Sequence, residues 1–149
     1  MRLIVTGHRE EKLKNYDIDW ITESIHTLVH TIHVDIGISI AYSGMASGID
    51  LWFCEACVKN DIPYISCIPF EEQEDYMTEK TKAVRTNFIN LAKEVKMVKN
   101  SWMVEHCDYA IVVWDGNKGG THNVLQQLIE KNIPFTWINP SGQKIWQCN

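Results

Sequence analysis

Short, uninterrupted apolar segments recur along the chain, and longer amphipathic or polar stretches separate them. Apolar runs without alternating polar residues are typical of strands that are covered on both faces. Strands that alternate with helices along a chain predict a parallel sheet connected by right-handed crossovers. We therefore expect an α/β fold, an open parallel sheet of about five to six strands with helices on both faces.

The individual segments can be placed from their apolar pattern and from the glycine, proline and aspartate residues between them. The predicted strands cover residues 2–6, 38–42, 63–68, 95–98, 109–114 and 134–138. The first predicted helix ends at about residue 35, and either Asp17 or Asp19 could be its N-cap. The other predicted helices cover residues 49–60, 78–92, 101–106 and 121–131. Residues 69–78 are polar and acidic and predict a loop. The length suits one domain, so we expect residues 1–149 to form a single domain with a loosely packed tail at 141–149.

Charge and composition argue against several classes of partner. The formal net charge is −5 and the lysines and arginines form no block, which disfavours binding to the phosphate backbone of DNA or RNA. No apolar stretch approaches the roughly 18 residues of a membrane span, and the first residues predict a strand rather than a signal peptide. The five cysteines are scattered, as expected for reduced thiols in the cytoplasm. Cys54 and Cys57 form a CxxC inside a predicted helix, where packing explains them better than redox chemistry.

Three polar segments that contain glycine each follow a predicted strand. They are Thr6–Arg9, Ser43–Asp50 and the segment from Asp115 to Asn123 within the stretch WDGNKGGTHN. In an open parallel sheet, ligands bind beyond the carboxyl ends of the strands, near the point where the strand order reverses. The last two segments also open helices, whose N-termini offer unpaired N–H groups and attract anions. The three segments together predict a ligand site at one edge of the sheet.

The clearest candidates for an anion cradle are Gly119 and Gly120, which allow close approach to the backbone, and Thr121, which adds a hydroxyl. Arg9 is the one arginine in the three segments, and it either pairs with a phosphate through two hydrogen bonds or is a solvated surface residue.

Other polar residues of these segments have two interpretations. Asp50 and Asp115 could each accept a hydrogen bond from a ribose hydroxyl or merely cap a helix or turn, and Asn123 could contact a base or a ribose edge. His8 and His122 lie in candidate ligand loops, where a histidine can bind phosphate or transfer a proton. Both alternatives remain open for each residue at this point.

Three further patterns favour structural roles. His26, His30 and His33 share one face of the first predicted helix, a spacing compatible with a metal site but more typical of a surface stripe. The acidic loop 71–75 is typical of a solvated face, although it could hold a general acid. Residues 102–103, Trp-Met, favour the core or a subunit interface over a base-stacking platform. We predict no metal and no cofactor.

Four motifs of the chain, taken in order, are similar to those of a known family. They are TGHR at 6–9, SGMASGID at 43–50, PFEEQEDY at 69–76 and KNSWMVEHCDYAIVVWDGNKGGTHN at 99–123. The sequence resembles the SLOG superfamily and, within it, the YpsA-like branch found in bacteria and phages. The resemblance implies a Rossmann-like fold. Members of the superfamily include sensors of nucleotide-derived ligands and enzymes that act on N-glycosidic bonds of nucleotides.

The resemblance also implies which residues form the pocket. They are Thr6, Gly7, Arg9, Ser43, Gly44, Met45, Asp50, Pro69, Phe70, Gln73, Asn100, Asp115, Gly119, Gly120, Thr121 and Asn123. The sequence departs from the family at three positions: Val124 replaces the glutamate of members that release cytokinin-like bases, Lys99 replaces a frequent arginine, and Tyr76 replaces a tryptophan. The first departure argues against hydrolysis by that route, because valine cannot stabilise an oxocarbenium ion.

We therefore predict a protein that binds a nucleotide-derived small molecule of the ADP-ribose or cyclic ADP-ribose type. If a phage encodes it, the protein would act in the host cytoplasm as a sponge that sequesters a host immune signal. This role is an analogy that rests on the resemblance. The alternative is a nucleotide N-glycosidase or deoxyribosyltransferase-like enzyme, for which Asp50, Asp115 or Glu72 would supply the carboxylate. A third interpretation is a subunit with a vestigial pocket. A homodimer or higher homo-oligomer is expected, with apolar area offered by Trp52, Trp102 and Trp146.

Overall fold

The computed structural model describes residues 1–149 and contains seven strands and five α-helices. The strands are β1 (Arg2–Gly7), β2 (Ile40–Ser43), β3 (Tyr64–Cys67), β4 (Glu94–Lys96), β5 (Tyr109–Val113), β6 (Phe135–Asn139) and β7 (Lys144–Cys148). The helices are α1 (Ile18–Asp35), α2 (Ile49–Lys59), α3 (Glu79–Leu91), α4 (Asn100–His106) and α5 (Gly120–Glu130). Two 3₁₀ turns, Glu10–Lys12 and Glu71–Tyr76, lie in the connections after β1 and β3.

The strands form one sheet in the order β4-β3-β2-β1-β5-β6-β7. All neighbouring pairs are parallel except β6 and β7, which are antiparallel. The chain builds outward from β1 to β4 and then returns to add β5 on the other side of β1. The strand order therefore reverses between β1 and β5, where Gly7 lies opposite Val113. The predicted α/β, Rossmann-like parallel sheet is confirmed.

Side chains of each central strand alternate between two cores, one on each face of the sheet. In β1, Leu3 and Val5 belong to the core beneath α1 and α2, whereas Ile4 belongs to the core beneath α4 and α5. All three side chains are fully or almost fully buried. Each fully buried side chain of this size contributes about 1.5–3 kcal/mol, so the two cores together fix the sheet and the direction of its loops.

The predicted tail at 141–149 contains a strand that the sequence did not indicate. Residues 144–148 form β7, which pairs with β6 and raises the strand number to seven. Most β7 side chains are exposed, and the Trp146 and Trp137 rings lie 4.5 Å apart between their centroids. Because an edge strand buries little apolar surface, its sequence lacks the apolar run that marks the central strands.

Two local features complete the fold. Of the two proposed caps for α1, Asp17 accepts the Trp20 N–H at 3.0 Å. Cys54 and Cys57 are buried in the core beneath α2, and burial raises the pKa of Cys54 to about 12, so this CxxC is a packing element. No helix of the structure has the length and apolar character that crossing a membrane requires.

Candidate functional site

A cavity of about 450 Å³ lies at the carboxyl edge of the sheet, between the loops that follow β1, β2, β3 and β5. Its position next to the β1/β5 reversal is where an open α/β sheet is expected to bind a ligand. The predicted site residues that line it are Thr6, Gly7, His8, Arg9, Gly44, Asp50, Pro69, Phe70, Gln73, Asn100, Gly120 and Thr121. The structure therefore brings the three predicted segments together at one edge.

The remaining predicted residues do not line this cavity. Ser43 is fully buried, and its hydroxyl accepts the Met45 N–H and donates to the Asp50 carbonyl oxygen. The Met45 side chain lies in the core, with its sulfur 3.7 Å from Sγ of Cys54. Asp115 holds His8, Gly119 precedes α5, and Asn123 is exposed one turn into that helix. Sequence alone could not show that the Ser43 and Met45 side chains are directed away from the cavity.

The N-terminus of α5 is open toward the cavity. A Cβ atom added at Gly120 would meet no other atom within 4 Å, so no other part of the chain packs on this position, and both Gly120 and Thr121 line the cavity. Thr121 is buried at the next position. Nζ of Lys12 lies 3.9 Å from where a Cβ of Gly119 would be, which places a positive charge beside the helix N-terminus. Lys12 also lines the cavity and was missed from the sequence, because it lies in an unpredicted 3₁₀ turn.

Arg9 lines the same cavity with a half-exposed side chain. Its Nε lies 3.5 Å from Oε1 of Glu11, and both side chains are more than half exposed. An exposed pair of this kind is weak, typically about 0–1 kcal/mol, so Arg9 can be drawn to a phosphate at little cost.

The N-terminus of α2, which the sequence also offered for anion binding, is closed. A Cβ at Gly48 would lie 2.8 Å from the backbone nitrogen of Glu10, because the loop after β1 packs directly on this turn. Gly48 has a φ of +82°, a conformation that side chains rarely adopt, so glycine is required there for two reasons. The Glu10 N–H also points to Oγ of Ser47 at 3.4 Å. Of the two helix N-termini that the sequence offered for anion binding, that of α2 is packed against the loop after β1, and that of α5 remains the candidate.

Asp50, in the first turn of α2, supplies a carboxylate to the cavity wall. Its Oδ2 accepts the Ala46 N–H at 3.1 Å and lies 2.9 Å from where a Cβ of Gly44 would be. Oδ1 of Asn100 lies 3.6 Å from the same point, so oxygen atoms of two side chains converge beside Gly44. Burial raises the pKa of Asp50 to about 7, and the Ala46 N–H offsets part of that shift. This carboxyl group therefore changes charge near neutral pH.

A buried arginine that the sequence analysis missed holds the loops of the cavity together. Arg85 of α3 is only 5% exposed, and its Nε donates to the Met45 carbonyl oxygen at 3.2 Å. Its Nη2 donates to Oε1 of Gln73 at 2.9 Å, and Nε2 of Gln73 donates to the Gly44 carbonyl oxygen at 2.8 Å. Glu74 lies 3.5 Å from Nη1. The loops after β2 and β3 are thus fixed to each other.

The loop after β3 covers one end of the cavity with aromatic side chains. Phe70 is 49% exposed and Tyr76 is 89% exposed, yet both line the cavity. Exposed aromatic rings beside a polar cavity offer apolar faces to a planar ligand group. In contrast, Trp102 is half-buried, and Met103 is buried in the core beneath α4.

The three histidines of α1 do not converge. His26 lies 3.8 Å from Glu55, His30 contacts Oδ1 of Asn60 at 2.8 Å, and Nδ1 of His33 accepts the Ile38 N–H. The structure contains no group of three or more His, Cys, Asp or Glu side chains arranged to hold a metal ion.

Comparison with known proteins gives a family and a fold. The family model described as the YspA SLOG family matches residues 3–136. No curated protein gives a significant match to the chain.

Three solved structures are similar in fold. DNA processing protein A of Streptococcus pneumoniae has a TM-score of 0.66 at 15% identity over 92% of this chain and 50% of its own. DNA processing protein A of Helicobacter pylori, described for its single-stranded DNA binding mode, has a TM-score of 0.65 at 16% identity over 100% of this chain and 68% of its own. The structural-genomics target TM1055 has a TM-score of 0.61 at 11% identity over 90% of this chain and 71% of its own. The chain spans half the length of the Streptococcus protein, and at these identities the likeness establishes the fold alone.

Proposed function

The chain belongs to the YspA SLOG family, and from that premise we propose that it binds a phosphorylated nucleoside derivative in the cavity at the carboxyl edge of the sheet. The ligand class is that of ADP-ribose or cyclic ADP-ribose. One observation carries the proposal: the open N-terminus of α5 faces the cavity with Nζ of Lys12 beside it. Unpaired amides, a helix dipole and a lysine together make a site for phosphate.

The rest of the cavity suits a nucleoside attached to that phosphate. Phe70 and Tyr76 follow β3, whereas Gly120 follows β5, three strand spacings away along the edge. At about 4.8 Å per spacing, the two ends lie roughly 14 Å apart, which matches an extended nucleoside diphosphate. Asp50 and Asn100 lie between them, within reach of one hydroxyl of the ribose. We therefore orient the base toward the aromatic rings and the phosphate toward α5.

Binding should depend on the phosphate. In isothermal titration calorimetry we expect ADP-ribose, cyclic ADP-ribose or AMP to bind, and adenosine to bind at least about 100-fold more weakly, because it lacks the group that α5 holds. Equal affinity for adenosine and AMP, or no binding of any of the phosphorylated compounds, would contradict the proposal.

The same titration also tests whether the protein binds single-stranded nucleic acid. The Helicobacter protein binds single-stranded DNA, so the titration includes a short oligothymidylate. We expect it not to bind, because the net charge is −5 and the cavity offers one phosphate site rather than a basic groove.

The competing function is cleavage of the N-glycosidic bond of the ligand, and the position of Asp50 favours it. Of the three carboxylates considered, Asp50 alone lines the cavity, whereas Asp115 is bonded to His8 and Glu72 is exposed outside it. A carboxyl group with a pKa of about 7 is suited to act as a general acid at neutral pH. Val124, which replaces the family glutamate, is buried in the core. Chromatography of the ADP-ribose incubation should recover the ligand intact; accumulating free base would instead establish an enzyme.

Recovery of an intact ligand would also fit the finer proposal, that in a phage the protein sequesters a nucleotide-derived immune signal in the host cytoplasm. Self-association remains a prediction. Of the three tryptophans considered for it, Trp146 on the edge strand β7 is 39% exposed, while Trp52 and Trp102 are half-buried.

A further inference from the structure

His8 and Asp115 join the two loops at the point where the strand order reverses. His8 follows β1 and Asp115 follows the neighbouring β5, and Nε2 of His8 lies 2.9 Å from Oδ1 of Asp115. Both side chains are more than nine-tenths buried. The carboxylate also accepts the Tyr16 hydroxyl at 2.9 Å and the Asn117 N–H at 3.1 Å. Asp115 thus makes three hydrogen bonds, and it fixes the orientation of the imidazole.

These contacts determine which nitrogen of the imidazole carries the proton. Burial by itself would raise the pKa of Asp115, but the hydrogen bonds from Asn117, Tyr16 and His8 lower it to about 2, so the group is ionised. An ionised carboxylate only accepts hydrogen bonds, and Nε2 of His8 must therefore donate. In the neutral imidazole, Nδ1 then bears a lone pair.

Nδ1 of His8 faces no partner in the protein. The ring makes one hydrogen bond, through Nε2, and Nδ1 is not one of the buried side-chain atoms that lack a partner, so Nδ1 is reached by solvent. The residue lines the cavity, one strand spacing of about 5 Å from the β5 loop that leads into α5. A hydrogen-bond acceptor is thus available next to a site built for an anion.

We propose that His8 selects the ligand by a sugar hydroxyl, which donates a hydrogen bond to Nδ1 beside the phosphate at α5. A second phosphate oxygen at this point would face the lone pair of Nδ1, whereas a hydroxyl supplies the missing proton. The inference rests on the proposed function and deepens it, because it makes the favoured ligand a ribose phosphate rather than a deoxyribose phosphate or free phosphate. His8 is in this account a specificity-determining residue.

His8→Gln separates selection from a purely structural bond between the two loops. The amide nitrogen of glutamine lies about where Nε2 of histidine lies, so it can still donate to Asp115, but nothing replaces Nδ1. If the bond only joined the loops, His8→Gln would bind every ligand as the wild type does. If Nδ1 selects a hydroxyl, the variant folds and loses the selection.

The experiment compares AMP with 2′-deoxy-AMP and 3′-deoxy-AMP by calorimetry on wild type and His8→Gln. We expect the wild type to bind one deoxy analogue about tenfold more weakly than AMP, the usual effect of one hydrogen bond, and the variant to show no such difference. The same ratio in both proteins would overturn the inference and leave the proposed function intact. Failure of all three nucleotides to bind the wild type would instead refute the proposed function and this inference with it.

A measurement on the ligand-free wild type covers the case in which His8→Gln does not fold. A long-range ¹H–¹⁵N spectrum distinguishes the two neutral tautomers of histidine and the imidazolium. We expect His8 to carry its proton on Nε2, the nitrogen that faces Asp115. A proton on Nδ1, in either the other tautomer or the imidazolium, would overturn the inference, since Nδ1 would then donate rather than accept.

Discussion

Gly120→Glu is expected to lower the affinity for AMP or ADP-ribose by about 100-fold or more while leaving the fold intact. The new carboxylate would occupy the position proposed for the phosphate, and two unit charges about 4 Å apart near a protein surface repel by about 4 kcal/mol. The fold should tolerate the change, because a Cβ at this position meets nothing within 4 Å. A carboxylate in the first turn of a helix is itself stabilising by about 0.3–1 kcal/mol.

Gln126→Glu is the matched control for this variant. It adds the same charge to an exposed position of the same helix, six residues or about 9 Å further along, beyond the first turn. Its affinity should fall by no more than about threefold, consistent with a screened charge at this distance. Calorimetry gives the affinities and thermal unfolding reports the fold. If Gly120→Glu is folded and binds as tightly as Gln126→Glu, the phosphate does not lie at α5.

Asp50→Asn is expected to stabilise the protein at high pH and to have little effect at low pH. The folded-state pKa of Asp50 is about 7, above its ordinary value of 3.8, because burial disfavours the charged form. Between these two values the folded state holds a proton that the unfolded state releases, so the ionising carboxyl group lowers the free energy of unfolding as pH rises. The loss is complete once the pH exceeds the folded-state pKa, at about pH 8.

Asparagine stays neutral throughout and keeps an oxygen that can accept the Ala46 N–H. The variant should therefore exceed the wild type in free energy of unfolding by about 2–4 kcal/mol above pH 8, and by about 0 near pH 4. Urea denaturation across this range measures both curves, with Asp75→Asn, an exposed carboxylate of the loop after β3, as the control. Parallel curves for wild type and Asp50→Asn would show that Asp50 is not held in its neutral form by burial.

The central sheet was predictable because its strands are covered on both faces. The runs that became β1, β3 and β5 contain apolar residues on both faces, and their short length and the turn residues beside them favour a buried strand over a helix. The strand β7 was not predictable in this way. Its side chains are mostly exposed, so its sequence carries no apolar run, and its position is set by pairing with β6.

The residues of the site also differ in whether local sequence could predict them. The glycines before Thr121 predicted where α5 begins, because the signals that start a helix are local, whereas the packing around the helix N-terminus is set by the tertiary fold. The closure of α2 depends on Glu10, 38 residues before Gly48, and no local pattern indicates it. Arg85 lies in a polar helix without any motif, and only its burial against the loops after β2 and β3 shows its role.

Lys12 and Asp50 illustrate a second limit. Lys12 looks like one of many surface lysines until the 3₁₀ turn brings its ammonium group to Gly119. Asp50 could equally cap a helix or contact a ligand on sequence grounds, and in the structure it lies in the first turn of α2 and lines the cavity. The chemistry of such residues depends on the distances and burial that the tertiary fold creates.

The most direct test is a titration of the ¹⁵N-labelled protein with ADP-ribose, AMP and inorganic phosphate, followed by ¹H–¹⁵N correlation spectra. If α5 holds the phosphate, the amide resonances of Gly120 and Thr121 should shift more than any others, and the shifts should saturate as ligand is added. In the Gly120→Glu variant, the Thr121 amide resonance should not shift. If these two amides remain unperturbed while binding occurs, or if the largest shifts lie on β7, the phosphate binds elsewhere and the account is contradicted.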